Sequence, residues 1–338
     1  MKIIVDAMGG DNAPDEIIEG ALLAIEKFGI DIVFTGRGED ILRVFEKLGH
    51  SDIPGSVQIV NASEVIGIDE DPASAIRVKK DSSLTVALNL LKDGGGDALV
   101  SAGSTGALLS GATLIVKRVR GIRRAALAPV IPCKGGSFVL IDCGANSECS
   151  PEYLLQFAYM GSFYSEDVLK VRSPRVGLLN NGSERSKGTP LQIETYEILE
   201  KASLSGRLNF VGNVEAGDVM RGVCDVLVCD GFTGNIFLKS LEGMAEMIMS
   251  ELKGVFLSSV KTKLSALLIK KRMSGLKQKL SADAIGGTPL LGISKPVIKA
   301  HGSSNKTAIS NAIFQAIASA NVNIAGKLSE NISQMKMS

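Results

Sequence analysis

Residues 176–190, VGLLNNGSERSKGTP, decide the fold of this chain. An apolar run of strand length passes into a polar glycine loop carrying Lys187, and the loop passes into a helix start. Thr189 suits an N-cap, Pro190 the first helical position, and Gln192 completes a capping box. Strand, loop and helix in this order form the repeating unit of an α/β sheet. A loop of free backbone N–H groups with one lysine, placed before a helix N-terminus, also suits an anion. The alternative is an ordinary strand-to-helix turn with a solvated lysine.

The same alternation continues in both directions. Strand-length apolar runs lie at 2–6, 31–35, 57–60, 97–101, 126–131, 137–142, 175–180, 208–211, 225–229 and 296–300. Helix-length amphipathic stretches lie at 14–28, 38–48, 84–92, 104–119, 151–164, 190–202, 233–252 and 304–320. This predicts an α/β fold with a mainly parallel sheet and helices on both faces. The adjacent runs at 126–131 and 137–142 read as a hairpin. DALVSAGSTGA at 97–107 is echoed by DVLVCDGFTGN at 225–235, through duplication or through two solutions of the same local geometry.

The chain has 338 residues, with 37 Gly, 11 Phe, 4 Tyr and no Trp, which suits many tight turns in a single two-lobed α/β domain spanning 1–338. A net charge of +1 gives no nucleic-acid signal. The cysteines at 133, 143, 149, 224 and 229 form no CxxC pair, and the opening MKIIVDAMGG is a strand rather than a leader. Reduced cytoplasmic thiols are expected. With His50 and His301 as the only histidines, no metal site is expected. Residues 98–116 carry no charge, but Gly103, Ser104, Thr105 and Gly106 interrupt them, so they read as strand, turn and helix rather than a membrane span.

Polar glycine-rich loops recur at the ends of these strands. DAMGGDNAP places Gly9 and Gly10 between Asp6 and Asp11. SAGSTGA supplies Ser104, Thr105 and Gly106. IDCGANSECSP supplies Asn146, with Cys149 as a structural cysteine. NNGSERSKG supplies Asn181, Gly182, Ser183 and Lys187. CDGFTGN supplies Gly234 and Asn235, and HGSSN supplies His301, Ser303, Ser304 and Asn305. Singly each is a turn or a cap; together they point to one polar pocket for an anion at the carboxyl ends of the strands. No GxxxxGK[ST], GxSxG or HExxH is present, which disfavours a nucleotide-driven phosphotransferase or a serine hydrolase.

Two basic stretches stand apart. Residues 98–141 hold Lys117, Arg118, Arg120, Arg123, Arg124 and Lys134 and no acid. Residues 252–282 hold eight bases and no acid, with Val260, Leu264, Leu267 and Leu268 on one helical face. This reads as an amphipathic helical protrusion lying at an anionic membrane surface, or as a face packed on a partner subunit.

DAMGGDNAP, SAGSTGALL, IDCGAN, GLLNNGSERSKGT, FVGNVEAGD, DGFTGN, GGTPLLG and HGSSN, in this order, resemble the bacterial fatty acyl-ACP:phosphate acyltransferases of phospholipid synthesis. Ser104 departs from the pattern, which has Asn there. The resemblance implies a fold similar to isocitrate and isopropylmalate dehydrogenases and to phosphotransacetylase. It implies a homodimer without cofactor that converts acyl-acyl carrier protein and inorganic phosphate to acyl phosphate. The product would feed a membrane glycerol-3-phosphate acyltransferase, so the enzyme would be cytoplasmic and peripheral to the inner face of the membrane. Lys187 would counter the phosphate charge, Asn235 and loop amides would hold phosphate or carbonyl oxygen, and His301 would protonate the departing thiolate. The other loop residues would bind substrate, and the bases at 117–124 would dock the carrier or else form a solvated helix end or a dimer contact. A CoA-dependent short-chain phosphotransacylase and an inert carrier- or lipid-binding scaffold are the alternatives.

Overall fold

The computed structural model describes residues 1–259, 261–266, 269, 273, 275 and 287–336. The chain opens with β1 (Lys2–Asp6), α1 (Asp15–Phe28), β2 (Asp31–Gly36), α2 (Gly38–Lys47), β3 (Val57–Asn61), α3 (Pro72–Val78), α4 (Ser83–Asp93), β4 (Ala98–Ser101) and α5 (Thr105–Gly111), whose last turn widens over Ala112–Val116. It continues with β5 (Ala126–Leu127), β6 (Val130–Cys133), β7 (Gly136–Ile141), α6 (Pro151–Asp167), β8 (Arg175–Asn180), α7 (Pro190–Leu204), β9 (Asn209–Glu215), α8 (Ala216–Val219), β10 (Val226–Val228) and α9 (Gly231–Leu257). It closes with β11 (Thr288–Leu291), β12 (Val297–Lys299), α10 (Lys306–Asn321) and α11 (Ile324–Glu330).

The strands form two sheets. One has seven strands in the order β3-β2-β1-β4-β12-β11-β5, parallel from β3 through β12. The other has five in the order β6-β7-β10-β8-β9, parallel from β7 through β9. Ile3, Ile4, Val5, Leu227 and Val228 are buried, as strands covered by helices on both faces require. α10 closes over the first sheet against α1. A Cβ on Gly20 would stand 2.6 Å from the Ile309 Cβ, so this helix crossing needs a glycine.

The apolar run at 126–131 is divided between the sheets. Ala126–Leu127 pairs with β11, whereas Val130–Cys133 pairs with β7 in the expected hairpin. Pro129 has no N–H for a ladder, so the chain changes sheets there. α3, α8, α11 and β11 were not expected: all are short, and β11 is built from the turn-like GTPLLG. In the 97–107 and 225–235 echo, β4 and β10 are both central parallel strands, but the helix starts differ. Ser104 caps α5 at the N–H of Ala107, and Asp230 caps α9 at the N–H of Thr233, two positions earlier in the echo.

No helix among the described residues is long and apolar enough to cross a membrane. α9 ends at Leu257 and the chain is helical again at 261–266. Leu264 is 65% exposed there, whereas Val260, Leu267 and Leu268 lie outside the described residues.

α9 docks at its start through glycine. A Cβ on Gly234 would stand 2.0 Å from the carbonyl oxygen of Asp142, whereas one on Gly243 of the same helix meets open space. Gly234→Ala is therefore expected to destabilise by about 2–3 kcal/mol through overpacking, and Gly243→Ala to stabilise by about 0.5–1 kcal/mol. Urea unfolding of the two variants checks the contrast; equal midpoints would contradict it.

Candidate active site

The carboxyl ends of the parallel strands of both sheets meet around one cavity of about 480 Å³. One wall is apolar: Leu127 and Val130 from the crossing strand, with Leu238 and Leu241 from α9. The polar lining comprises Thr105 at the start of α5, Asn235, Lys239 and Glu242 on α9, and Lys299 and His301 at the end of β12. Gly144, on the loop after β7, borders Asn235: a Cβ there would stand 3.7 Å from the Asn235 Cγ.

Asp142 fixes this junction. Its carboxylate accepts N–H bonds from Leu127 (2.9 Å), Cys143 (2.7 Å), Ala145 (3.2 Å) and Asn146 (2.7 Å), and a fifth from the Asn146 side chain (2.9 Å). Complete burial pushes this carboxyl up, and the donated bonds pull it back. Asn146 also donates its side-chain amide to the Ala125 carbonyl (2.8 Å), and its own carbonyl accepts the Gly231 N–H at the start of α9 (2.7 Å). Asn146 thus lies beside the cavity with its amide committed to the loop.

The loops of the first sheet interlock. A Cβ on Gly9 would stand 2.6 Å from the Gly103 nitrogen, and one on Gly10 would stand 3.0 Å from the Gly302 carbonyl. Both glycines serve this close approach. Asp11 N–H donates to the Gly302 carbonyl (2.8 Å), and the Asn12 amide donates to the carbonyls of Ser303 (3.1 Å) and Ser304 (3.3 Å). Ser104 and Asn305 serve as helix caps, and Gly106 lies against Pro72 of α3. The Ser304 side chain is buried. The Ser303 hydroxyl lies 2.9 Å from the His301 Nδ1, and the Ser303 N–H donates to the same nitrogen (3.3 Å). That donation leaves Nε2 as the protonated nitrogen of the neutral ring.

Of the expected catalytic residues, Asn235 and His301 come together at the cavity, with Thr105. Lys187 stands on the exposed loop after β8, at the same edge of the five-stranded sheet, and is not among the residues lining the cavity. Gly182 lies beneath its side chain, and Asn180 donates to the Lys187 carbonyl (3.0 Å). Asn181 and Ser183 are exposed on that loop. Arg118, Arg123 and Arg124 gather with Lys336, Glu152 and Tyr153 around a separate hollow; Lys117 and Arg120 lie outside it. Arg123 pairs with Glu152 (3.2 Å), and Arg124 stacks on Tyr153.

Sequence reasoning missed Lys299, Lys239, Glu242 and Cys143, all of which line the cavity. A lysine within the buried run PVIKA was the available signal for the first; Lys239, Glu242 and Cys143 carried none.

Residues 1–327 match the model of the family described as fatty acid synthesis protein. A phosphate acyltransferase from Oceanobacillus iheyensis is 47% identical over 94% of this chain and 92% of its own length. The chain belongs to the phosphate acyltransferase family. A member from Clostridioides difficile is 45% identical over 99% of this chain and 96% of its own. A phosphotransacetylase from Streptococcus pyogenes shares the fold at 18% identity, with a TM-score of 0.64 over 95% of this chain and 94% of its own. A 4-hydroxythreonine-4-phosphate dehydrogenase from Klebsiella pneumoniae does so at 13% identity, with a TM-score of 0.56 over 94% and 99%. The expected likeness in fold to phosphotransacetylase holds, the dehydrogenase that shares the fold here is the 4-hydroxythreonine-4-phosphate one, and the chain is an acyltransferase that acts on phosphate.

An acyltransferase with a cysteine in its cavity raises the question of an acyl-thiol intermediate. Burial pushes the Cys143 thiol up to about 12, and Cys149 likewise. Both stay protonated at neutral pH and are poor nucleophiles. Native protein at pH 7.5 is expected to leave these two thiols unreacted with a disulfide reagent, with all five reacting after unfolding in guanidinium. Because both are raised in the fold, their contribution to stability is complete below about pH 8.5, the ordinary thiol value, and is lost as pH rises from there towards 12. Rapid labelling of Cys143 in the native state would contradict this assignment.

Proposed function

We propose that the chain transfers a long-chain acyl group from acyl carrier protein to inorganic phosphate, giving acyl phosphate for phospholipid synthesis. The observation that carries this reading is the cavity: its lining combines apolar side chains suited to an acyl chain, among them Leu127, Val130, Leu238 and Leu241, with the polar groups of Asn235 and His301. The hydrogen phosphate dianion is the nucleophile. Its oxygen forms a bond to the thioester carbonyl carbon, the carbon–sulfur bond breaks, and the phosphate proton ends on the released thiol. Alignment and charge stabilisation are then the protein's tasks. Asn235 donates to phosphate or to the carbonyl oxygen. The Nε2–H of His301 is the donor for the developing oxyanion or thiolate. Lys187, from the neighbouring loop, adds positive charge at the same sheet edge.

Purified protein with long-chain acyl-ACP and phosphate, trapped by hydroxylamine, is expected to give acyl hydroxamate. Asn235→Ala, His301→Ala and Lys187→Ala are each expected to fold and to lose about 10²–10³ in kcat, the usual loss for one oxyanion donor. Turnover with acyl-CoA alone would support the short-chain alternative, and none with either donor would support a scaffold. Near-normal turnover of all three variants would remove these residues from the mechanism.

The carrier dock we assign to the hollow at Arg118, Arg123 and Arg124, because a carrier of acidic surface needs a cationic one. Arg124 is three residues from Leu127 of the cavity wall, no more than about 11 Å of chain. Arg118→Glu with Arg124→Glu is expected to raise the KM for acyl-ACP and to weaken its salt dependence, with kcat little changed. An unchanged KM would exclude this surface.

A homodimer and a peripheral membrane contact complete the proposal. Met244, Met247, Ile248 and Val255 are exposed along one side of α9, as a partner-covered stripe would be. The bases of 252–282 suit an anionic leaflet. Glu at Leu264, Leu267 and Leu268 together is expected to abolish flotation with anionic vesicles while size-exclusion chromatography still shows a dimer. Conversion to monomers would assign the stripe to the subunit contact instead.

A further inference from the structure

We propose that Lys299 binds the acceptor phosphate in this cavity, an assignment that rests on the acyl-to-phosphate reading above. Lys299 ends β12, in register with Ser101 of β4, and is 9% exposed. Its side chain lines the cavity. Two residues further on, His301 lines the same cavity.

Among the described residues, the ammonium donates to two backbone carbonyls, those of Ala102 (3.2 Å) and Ala300. An ammonium has three N–H donors, so one is left, and neutral carbonyls do not cancel the charge. Asp6 and Asp11 act on it through space. Asp6 itself accepts from the Ser101 hydroxyl (2.7 Å) and the Met8 N–H (3.3 Å), and burial pushes its carboxyl up towards the neutral form. Burial of Lys299 pulls its ammonium down to about 8, so the charge is held at a cost. A dianion entering the cavity adds to the partial countercharge of Asp6 and Asp11 and supplies a third acceptor. The two carbonyl contacts fix the Nζ beforehand, so little side-chain freedom is lost when phosphate binds.

Wild-type protein, Lys299→Met and Lys299→Gln are compared in three measurements. Hydroxamate formation by the wild type judges the acyl-to-phosphate reading on its own. Equilibrium dialysis with radiolabelled inorganic phosphate judges Lys299 whether or not turnover is seen: binding by the wild type and its loss in both variants are expected. Kinetics are expected to show a KM for phosphate raised about a hundredfold, with the KM for the acyl donor within about twofold. Melting temperatures at pH 7 are expected to be unchanged or higher, because a buried charge has been removed. Unchanged phosphate binding in folded variants, or no phosphate bound by the wild type, overturns the proposal. Variants that melt earlier but keep the phosphate KM would show Lys299 to be only a tie between β4 and β12.

Discussion

The buried carboxylate of Asp142 holds the molecule's two halves to one geometry. It stands at the end of β7 in the five-stranded sheet and takes the N–H of Leu127, which belongs to the seven-stranded one. Through Asn146 it also sets the start of α9. The cavity has walls from both sheets and from α9, so its shape follows from this one cluster of N–H bonds. Removing the acceptor would leave several buried N–H groups without partners, a larger loss than any single bond.

The remaining loops meet the same edge because parallel strands deliver their carboxyl ends together. Glycine is needed where backbones touch, at Gly9 against Gly103 and at Gly234 against the Asp142 carbonyl. Neither glycine donates to a ligand through a side chain. Their place in the motifs reflects packing that brings Thr105, Asn235 and His301 together. Burial keeps the nearby thiols of Cys143 and Cys149 protonated, which is consistent with the proposed direct attack by phosphate.

The α/β architecture was legible because the long elements carry their own signals. Apolar runs such as KIIVD and RVGLLN read as buried strands, and Thr189, Pro190 and Gln192 marked the start of α7. The sheet change at Pro129 was not legible, since 126–131 reads as one run and only its pairing partners divide it. In the site, the loops were recognisable and the roles within them less so. Asn146, Ser104 and Asn305 look like ligand donors in sequence, yet their polar atoms are used in the fold. Lys299 showed the reverse: a lone lysine in an apolar strand carries chemistry that only its burial beside the cavity reveals.

Direct transfer, without an acyl-protein intermediate, is the central chemical claim. It is tested by incubating the protein with acyl-ACP in the absence of phosphate, quenching in acid within one turnover, and measuring the intact mass of the chain. The account predicts an unmodified mass, with acyl phosphate appearing only when phosphate is added. A chain heavier by one acyl group, discharged when phosphate is supplied, would contradict it.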